Sequence, residues 1–308
     1  MSMAGQSVVG ERVQWDGLVW QVDRLGDDGV VTVSHVSGIT DSVHMSDLTP
    51  IASNDAVAGC VKPREINGFY SAASLKGKPV PPRKWLVEGL IPAKTVTLFS
   101  GDGGTGKSLL ALQLAIAAVT NTPWILQPVT PGKAIFLSAE DDEDELHRRM
   151  IDILRAIDKD FEDLSGLTTR SLAGDPALLA IDSQMGLRET ELFKELDQRA
   201  AEESPELVVI DTLADVYPAN ENDRAKVRQF VGILRGLAIK RNCAVDLLAH
   251  PSLTGLSNKT GTSGSTAWNN SVRSRLYLSR ITDDGFEPDP DARILSTMKA
   301  NYGPTGGE

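Results

Sequence analysis

The chain is predicted to be an α/β protein with a mainly parallel sheet, preceded by a small β-barrel-like module. Three observations predict it. Strand-like and helix-like segments alternate from Trp85 onward. The apolar strands are short and uninterrupted, as in "TVTLFS" (95–100) and "ELVVID" (206–211). Residues 7–51 read instead as several short strands separated by turn residues.

In the first module "VQWDGLVWQV" is a hairpin signal. Asp16-Gly17 suits a type I′ turn between strands that carry Trp15 and Trp20. "GDDG" (26–29) is a second turn, "VVTVSHV" a third strand, and "SGIT" followed by "DSVHM" a further hairpin. Four or five such strands suggest a small closed or half-closed barrel over residues 1–60. That segment holds eight acidic residues against two basic ones, Arg12 and Arg24. Protein docking or a structural role therefore fits it better than a grip on nucleic acid. Residues 61–84, with "KGKPVPPRK", read as a Pro-rich linker or strap.

Residues 85–308 carry the alternating pattern. After "TVTLFS" comes a helix starting near Gly106 that is apolar nearly all round. "KAIFLS" is the next strand, and "DEDELHRRMIDILRAI" has helical spacing at Leu146, Met150, Ile151 and Leu154. A polar stretch leads to the helix "ETELFKELDQRAAE", the strand "ELVVID" and the amphipathic helix "DRAKVRQFVGILRGLAIKR". "CAVDLLAH", "SVRSRLYLSR" and "ARILSTMKA" are late strands. Ligands of such sheets bind at the carboxyl ends of the strands.

Bulk properties narrow the function classes. A hydrophobic content of 41% supports a substantial core, and 24% charged residues is ordinary for a soluble protein. The formal net charge of −11 argues against a uniformly basic, nucleic-acid-coating surface, although a local basic groove or ring lumen is compatible with it. Cys60 and Cys243 are too few for a disulfide framework, so a reducing, cytoplasmic setting is expected. The start "MSMAGQS" has no signal-peptide pattern. The apolar run Leu109–Val119 contains Gln113 and is too short for a bilayer, so no membrane association is expected.

"LFSGDGGTGKSLLAL" (98–112) admits two parses. Gly101, Gly103 and Gly106 spell a dinucleotide fingerprint, whereas Gly101, Gly106, Lys107 and Ser108 spell a nucleoside-triphosphate loop. A dinucleotide site wants an acidic residue about 20 positions on, and there is no Asp or Glu from Lys107 to Ala139. A dinucleotide loop has no use for Lys107-Ser108, while a triphosphate loop needs both. The loop Gly101, Asp102, Gly103, Gly104, Thr105, Gly106, Lys107, Ser108 and Leu109 is therefore expected to bind ATP. Lys107 would reach the β- and γ-phosphates, and Ser108 would offer its hydroxyl to Mg²⁺. Asp211, closing an apolar strand, is the expected partner of the metal shell; a turn or helix cap is the bland alternative. Thr212 occupies the following position, where many ATPases carry a catalytic Glu. The general base is then expected on a neighbouring strand, where Glu140 follows "AIFLSA". Glu140 also opens an unbroken acidic run to Glu145, of which Asp142–Glu145 read as a helix start.

"LFSGDGGTGKS", "IFLSAEDD", "LVVIDT" and "LLAHPS…KTGTSGSTAWNNSVRSRLYLS", in this order, resemble the RepA-type branch of RecA-like ATPases, which includes hexameric replicative helicases of plasmids and ATPases of phages. The resemblance spans roughly Trp85 to Tyr302. It implies a RecA-like P-loop NTPase core, Glu140 as catalytic carboxylate, Asp211 at the metal shell and His250 as a γ-phosphate sensor. It implies too that Arg273 is an arginine finger entering a neighbouring subunit's site, with Lys299 a second candidate for that charge. Without it, Arg273, Arg275 and Arg280 are indistinguishable strand residues. "PSLTGLSNKTGTSGST" (251–266) resembles the loop that faces DNA in a ring, and its one charge, Lys259, would line a hexamer's lumen; a surface loop is the alternative. Trp268, at the edge of this segment, is its one aromatic. The small N-terminal module and the strap depart from the helicase core.

Three functions are compatible with these residues. One is a homo-oligomeric, hexameric helicase or translocase on single-stranded DNA. Another is a recombination or repair accessory ATPase. The third is a nucleotide-dependent regulator whose acidic N-terminal module docks a protein partner.

Overall fold

In a computed structural model, residues 12–15, 18–25, 30–34, 40–44, 49–50, 69–250, 266–282 and 286–303 are described. The chain divides into two compact units, residues 1–79 and 80–308.

In the first unit β1 (Arg12–Trp15), β2 (Leu18–Leu25), β3 (Val30–Ser34), β4 (Thr40–His44) and β5 (Thr49–Pro50) form one antiparallel sheet in the order β4-β3-β2-β1-β5. β1 and β2 pair with Trp15 opposite Leu18, across the Asp16-Gly17 position that itself lies outside the described residues, as does "GDDG". Val22, Val31, Val33 and Val43 are buried, and Val22 lies opposite Val33. Closure into a barrel would need β4 to pair with β5. No such pairing occurs among the described residues, so the expected barrel is seen there as an open sheet.

The second unit is built on a seven-stranded sheet. Its strands are β8 (Val96–Gly101), β9 (Ala134–Ser138), β10 (Leu167–Ser171), β13 (Leu207–Asp211), β14 (Ala244–Ala249), β15 (Ser274–Arg280) and β16 (Arg293–Ala300). Their order is β10-β9-β13-β14-β8-β15-β16. All pairs are parallel except β15–β16. Two antiparallel hairpins stand apart: β6 (Trp85–Val87) with β7 (Ile91–Pro92), and β11 (Ala180–Ser183) with β12 (Gly186–Glu189).

Every residue of β8, β9, β13 and β14 is buried, which is why these strands read as unbroken apolar runs rather than alternating ones. Helix α1 (Lys107–Thr120) and helix α2 (Glu143–Ala156) cover one face, around Phe99, Leu112, Ile116, Phe136 and Leu248. Helix α3 (Glu191–Glu203), the short α4 (Leu213–Val216), helix α5 (Arg224–Arg241) and the short α6 (Thr266–Ser271) cover the other, around Leu98, Ile210, Phe230 and Trp268. Each fully buried Leu or Phe in such a layer contributes about 1.5–3 kcal/mol.

The polar stretch between α2 and α3 contains β10 and the β11–β12 hairpin, three strands that periodicity alone does not reveal. β10 is an edge strand, and Thr169 and Arg170 are exposed, so the apolar alternation that marks a strand is missing. None of the helices among the described residues is long and apolar enough to cross a membrane.

Candidate functional site

Strands β8, β9, β13 and β14 all end at the same edge of the sheet, and the phosphate loop connects β8 to α1 at that edge. Gly104 and Gly106 have φ of +68° and +91°, conformations that L side chains rarely adopt. Gly101 is required for another reason: a Cβ there would collide with the Leu278 carbonyl of β15 and crowd the Lys107 stem. Helices α2, α3 and α5 are each capped by a side chain, from Asp142, Thr190 and Asp223 respectively. Helix α1 has no side-chain cap and no acid in its first turn. Its first amides are left as an anion site, reinforced by the helix dipole.

Lys107, His250 and Glu140 form a hydrogen-bonded row across this edge. Lys107 Nζ donates to the Asp102 carbonyl at 2.9 Å and stands 3.3 Å from His250 Nδ1. His250 Nε2 stands 3.2 Å from Glu140 Oε1. An ammonium can only donate, so Nδ1 accepts and the ring proton sits on Nε2, where it is given to the Glu140 carboxylate. The imidazole thereby connects the lysine of the phosphate loop to the carboxylate just beyond β9, two strands away from β14. Burial depresses the Lys107 ammonium, while Glu140, Asp211 and Asp102 oppose that shift. Glu140 keeps 41% of its side chain exposed, which leaves it open to water.

Asp211 closes β13 and is buried. Burial pushes its carboxyl up to about 7, with the Ser108 hydrogen bond pulling the other way and Glu140 and Asp141 adding to the rise. Its Oδ2 is buried with no hydrogen-bond partner among the described residues. A desolvated carboxylate oxygen with nothing to bond is costly, and a hydrated cation would satisfy it. Ser108 and Asp211 therefore fit the shell of a nucleotide-bound Mg²⁺, which when bound supplies positive charge against the β- and γ-phosphate oxygens.

One strand away Asp246 is wholly buried in β14, with neither carboxyl oxygen bonded among the described residues. Burial first, and Asp211 second, push its carboxyl up to about 8. At neutral pH it is therefore mostly protonated.

The cleft has a volume of about 450 Å³, and its lining includes Gly104, Lys107, Leu109, Glu140, Arg149 and His250. A second cavity of about 440 Å³ lies between β10 and α3 and has no open helix terminus. Volume does not separate the two; the chemistry of the lining does.

The fold thus gathers the loop Gly101–Leu109 with Glu140, Asp211 and His250. Arg273 does not join them, because it precedes β15 at the opposite end of the sheet from the loop. Arg280, at the other end of that strand, donates to the loop carbonyls of Gly103 and Gly104. Arg275, between them, is buried. Lys299 donates to the Asn269 carbonyl near Arg273. Lys259 and the Gly/Ser/Thr-rich segment around it lie outside the described residues. Trp268 is fully buried and meets Tyr217 and Phe230 edge to face, at 5.1 and 6.3 Å between centroids. It is a core residue, not a platform for stacking bases.

Sequence reasoning missed Arg149, Tyr277 and Arg293. Tyr277 donates to Asp102 Oδ1 at 2.6 Å, and Arg293 Nε donates to the Thr105 carbonyl at 3.3 Å. Arg149 is paired with Asp141 and Glu145. Only the pairing of β15 with β8 could have pointed to Tyr277.

An open helix terminus behind a glycine loop, a lysine in its first turn and a buried acid across the sheet define a P-loop ATPase. The family model described as an AAA domain (AAA_25) matches residues 63–255, and the chain belongs to that family.

Proposed function

We propose that this ATPase is a ring-forming motor, a RepA-like helicase or translocase on single-stranded DNA, in which Arg273 of one subunit completes the site of the next. The observation that carries the reading is the distance between Arg273 and its own chain's phosphate loop. The two lie at opposite ends of β15, roughly 20 Å apart at about 3.3 Å per residue. Arg273 Nε is buried without a hydrogen-bond partner among the described residues, and Lys299 is close enough for its ammonium to be depressed by burial and by Arg273. A guanidinium that its own site cannot use is available to a neighbour's γ-phosphate. Within each subunit, Glu140 orients and deprotonates the attacking water, His250 reports the γ-phosphate to Glu140, and Lys107 holds the phosphates.

A second reading draws on the separate N-terminal unit and its acidic excess: a nucleotide-dependent regulator docked through residues 1–60. ATPase rate against protein concentration, with and without single-stranded DNA, separates the two. Steep concentration dependence with DNA stimulation is expected of the ring motor. A rate per subunit that is constant with concentration and indifferent to DNA would overturn it.

A further inference from the structure

The hairpin β15–β16 lies beyond the matched family segment, yet its side chains reach the phosphate loop directly. Arg280 and Arg293 face each other across the hairpin, in register. Arg280 Nη2 donates to the carbonyls of Gly103 at 3.3 Å and Gly104 at 3.2 Å. Arg293 Nε donates to the Thr105 carbonyl at 3.3 Å. Glu287 lies between the two guanidiniums, 2.9 Å from Arg293 Nη1 and 4.0 Å from Arg280 Nε, and offsets their repulsion. Tyr277 and Leu278, on the same strand, hold Asp102 and press on Gly101.

Three consecutive carbonyls of the loop are therefore held from outside. Each belongs to a planar, trans peptide unit whose N–H points the opposite way. Holding the oxygens of Gly103, Gly104 and Thr105 fixes the N–H groups of Gly104, Thr105 and Gly106. These N–H groups immediately precede α1 and its uncapped first turn. A cation on a carbonyl oxygen also polarises its amide and strengthens the N–H as a donor. At present the Thr105 N–H makes only a long bond, 3.4 Å, to the Asp102 carbonyl. It can be given up to a ligand at little cost.

We propose that Arg280 and Arg293, bridged by Glu287, are positioning residues that pre-form the phosphate cradle from behind and set its affinity for nucleotide. They act through the loop's peptide units and do not touch the phosphates. The proposal rests on nucleotide binding by the loop and is independent of ring assembly and DNA.

The test uses the full chain and a fluorescent ADP, with steady-state ATPase kinetics alongside. Arg280→Met keeps the aliphatic stem and removes the charge. It is expected to weaken ADP binding and raise KM for ATP by roughly tenfold, the scale of one lost hydrogen bond from a charged group, with the smaller part of the loss in kcat. Arg280→Lys is expected to regain most of the affinity, because an ammonium still reaches the carbonyls. Arg293→Met should act in the same direction, and the double variant should lose less than the product of the singles, since they hold one loop.

ADP affinity unchanged in Arg280→Met would overturn the proposal. So would a loss that Lys fails to recover, or one accompanied by a clear fall in the melting temperature of the nucleotide-free protein. Lys107→Ala separates this from the underlying reading. If the parent chain binds no ADP, nucleotide binding itself fails. If it binds, Lys107→Ala weakens it and Arg280→Met does not, only the positioning role fails.

Discussion

Arginines stand at both ends of β15, and the two ends differ in nearly every physical respect. At the carboxyl end Arg280 is half exposed, shares Glu287 with Arg293 and donates to two carbonyls of its own phosphate loop. At the amino end Arg273 has a buried, unbonded Nε among the described residues and a depressed lysine as its neighbour. One arginine is engaged by its own chain. The other is under-used, beside a second cation, where an anion brought by another molecule would relieve both. A short strand therefore separates an internal brace from a residue suited to an external partner, although in "SVRSRLYLSR" they look alike.

The largest effect expected from breaking this contrast is at the amino end. Arg273→Ala should lower ATP hydrolysis by the assembled protein by about 10³–10⁵-fold while leaving fluorescent ADP bound as in the parent. Mixing Arg273→Ala with Glu140→Gln chains, each nearly inactive alone, should restore hydrolysis at mixed interfaces. Failure of the mixture to recover would place Arg273 outside the neighbour's site.

Glu140→Gln alone comes next. Removing the base should cost about 10²–10⁴-fold in kcat, with nucleotide affinity kept because Lys107 and the loop amides are untouched. Single-turnover kinetics would show whether the chemical step carries the loss; retention of the parent rate would move the base to another group.

Smaller, and independent of assembly, is a pH effect from the two raised carboxyls. Asp211 and Asp246 hold protons up to about 7 and about 8 in the folded chain, whereas unfolded aspartates release them near pH 4. Between those limits the unfolded state has shed protons that the folded state keeps. The stability of the nucleotide-free protein should therefore fall as pH rises from about 4 to about 8, by up to ~1.4 kcal/mol per pH unit for each group, and then level off. Chemical denaturation at a series of pH values measures the slope, and Asp246→Asn should remove about half of it. A slope unchanged in that variant would mean that Asp246 titrates near its ordinary value.

Much of the nucleotide site was legible because it is local. The spacing of Gly106, Lys107 and Ser108 dictates a strand-to-helix turn with free amides, and the apolar runs before Glu140 and Asp211 dictate buried strands that end in acids. The central strands were equally legible, since burial on both faces leaves an unbroken apolar record. The edge strand β10 and the β11–β12 hairpin were not, because half-exposed strands carry mixed side chains. Trp268, the one aromatic beside the polar segment, carried no sign of its burial in the local sequence, and packing against Tyr217 and Phe230 makes it core.

The amino-acid sequence by itself determined that this chain folds as an α/β P-loop ATPase, and which residues line its phosphate cradle. Those properties follow from short-range chemistry: glycines where φ is positive, a lysine at a helix start, apolar runs that must be covered. Only the tertiary structure decided which arginine braces the loop, which is buried and which is left at the far end. It also set the row from Lys107 through His250 to Glu140. These depend on strand order and register, which bring together residues far apart in the chain and leave no periodic trace in it.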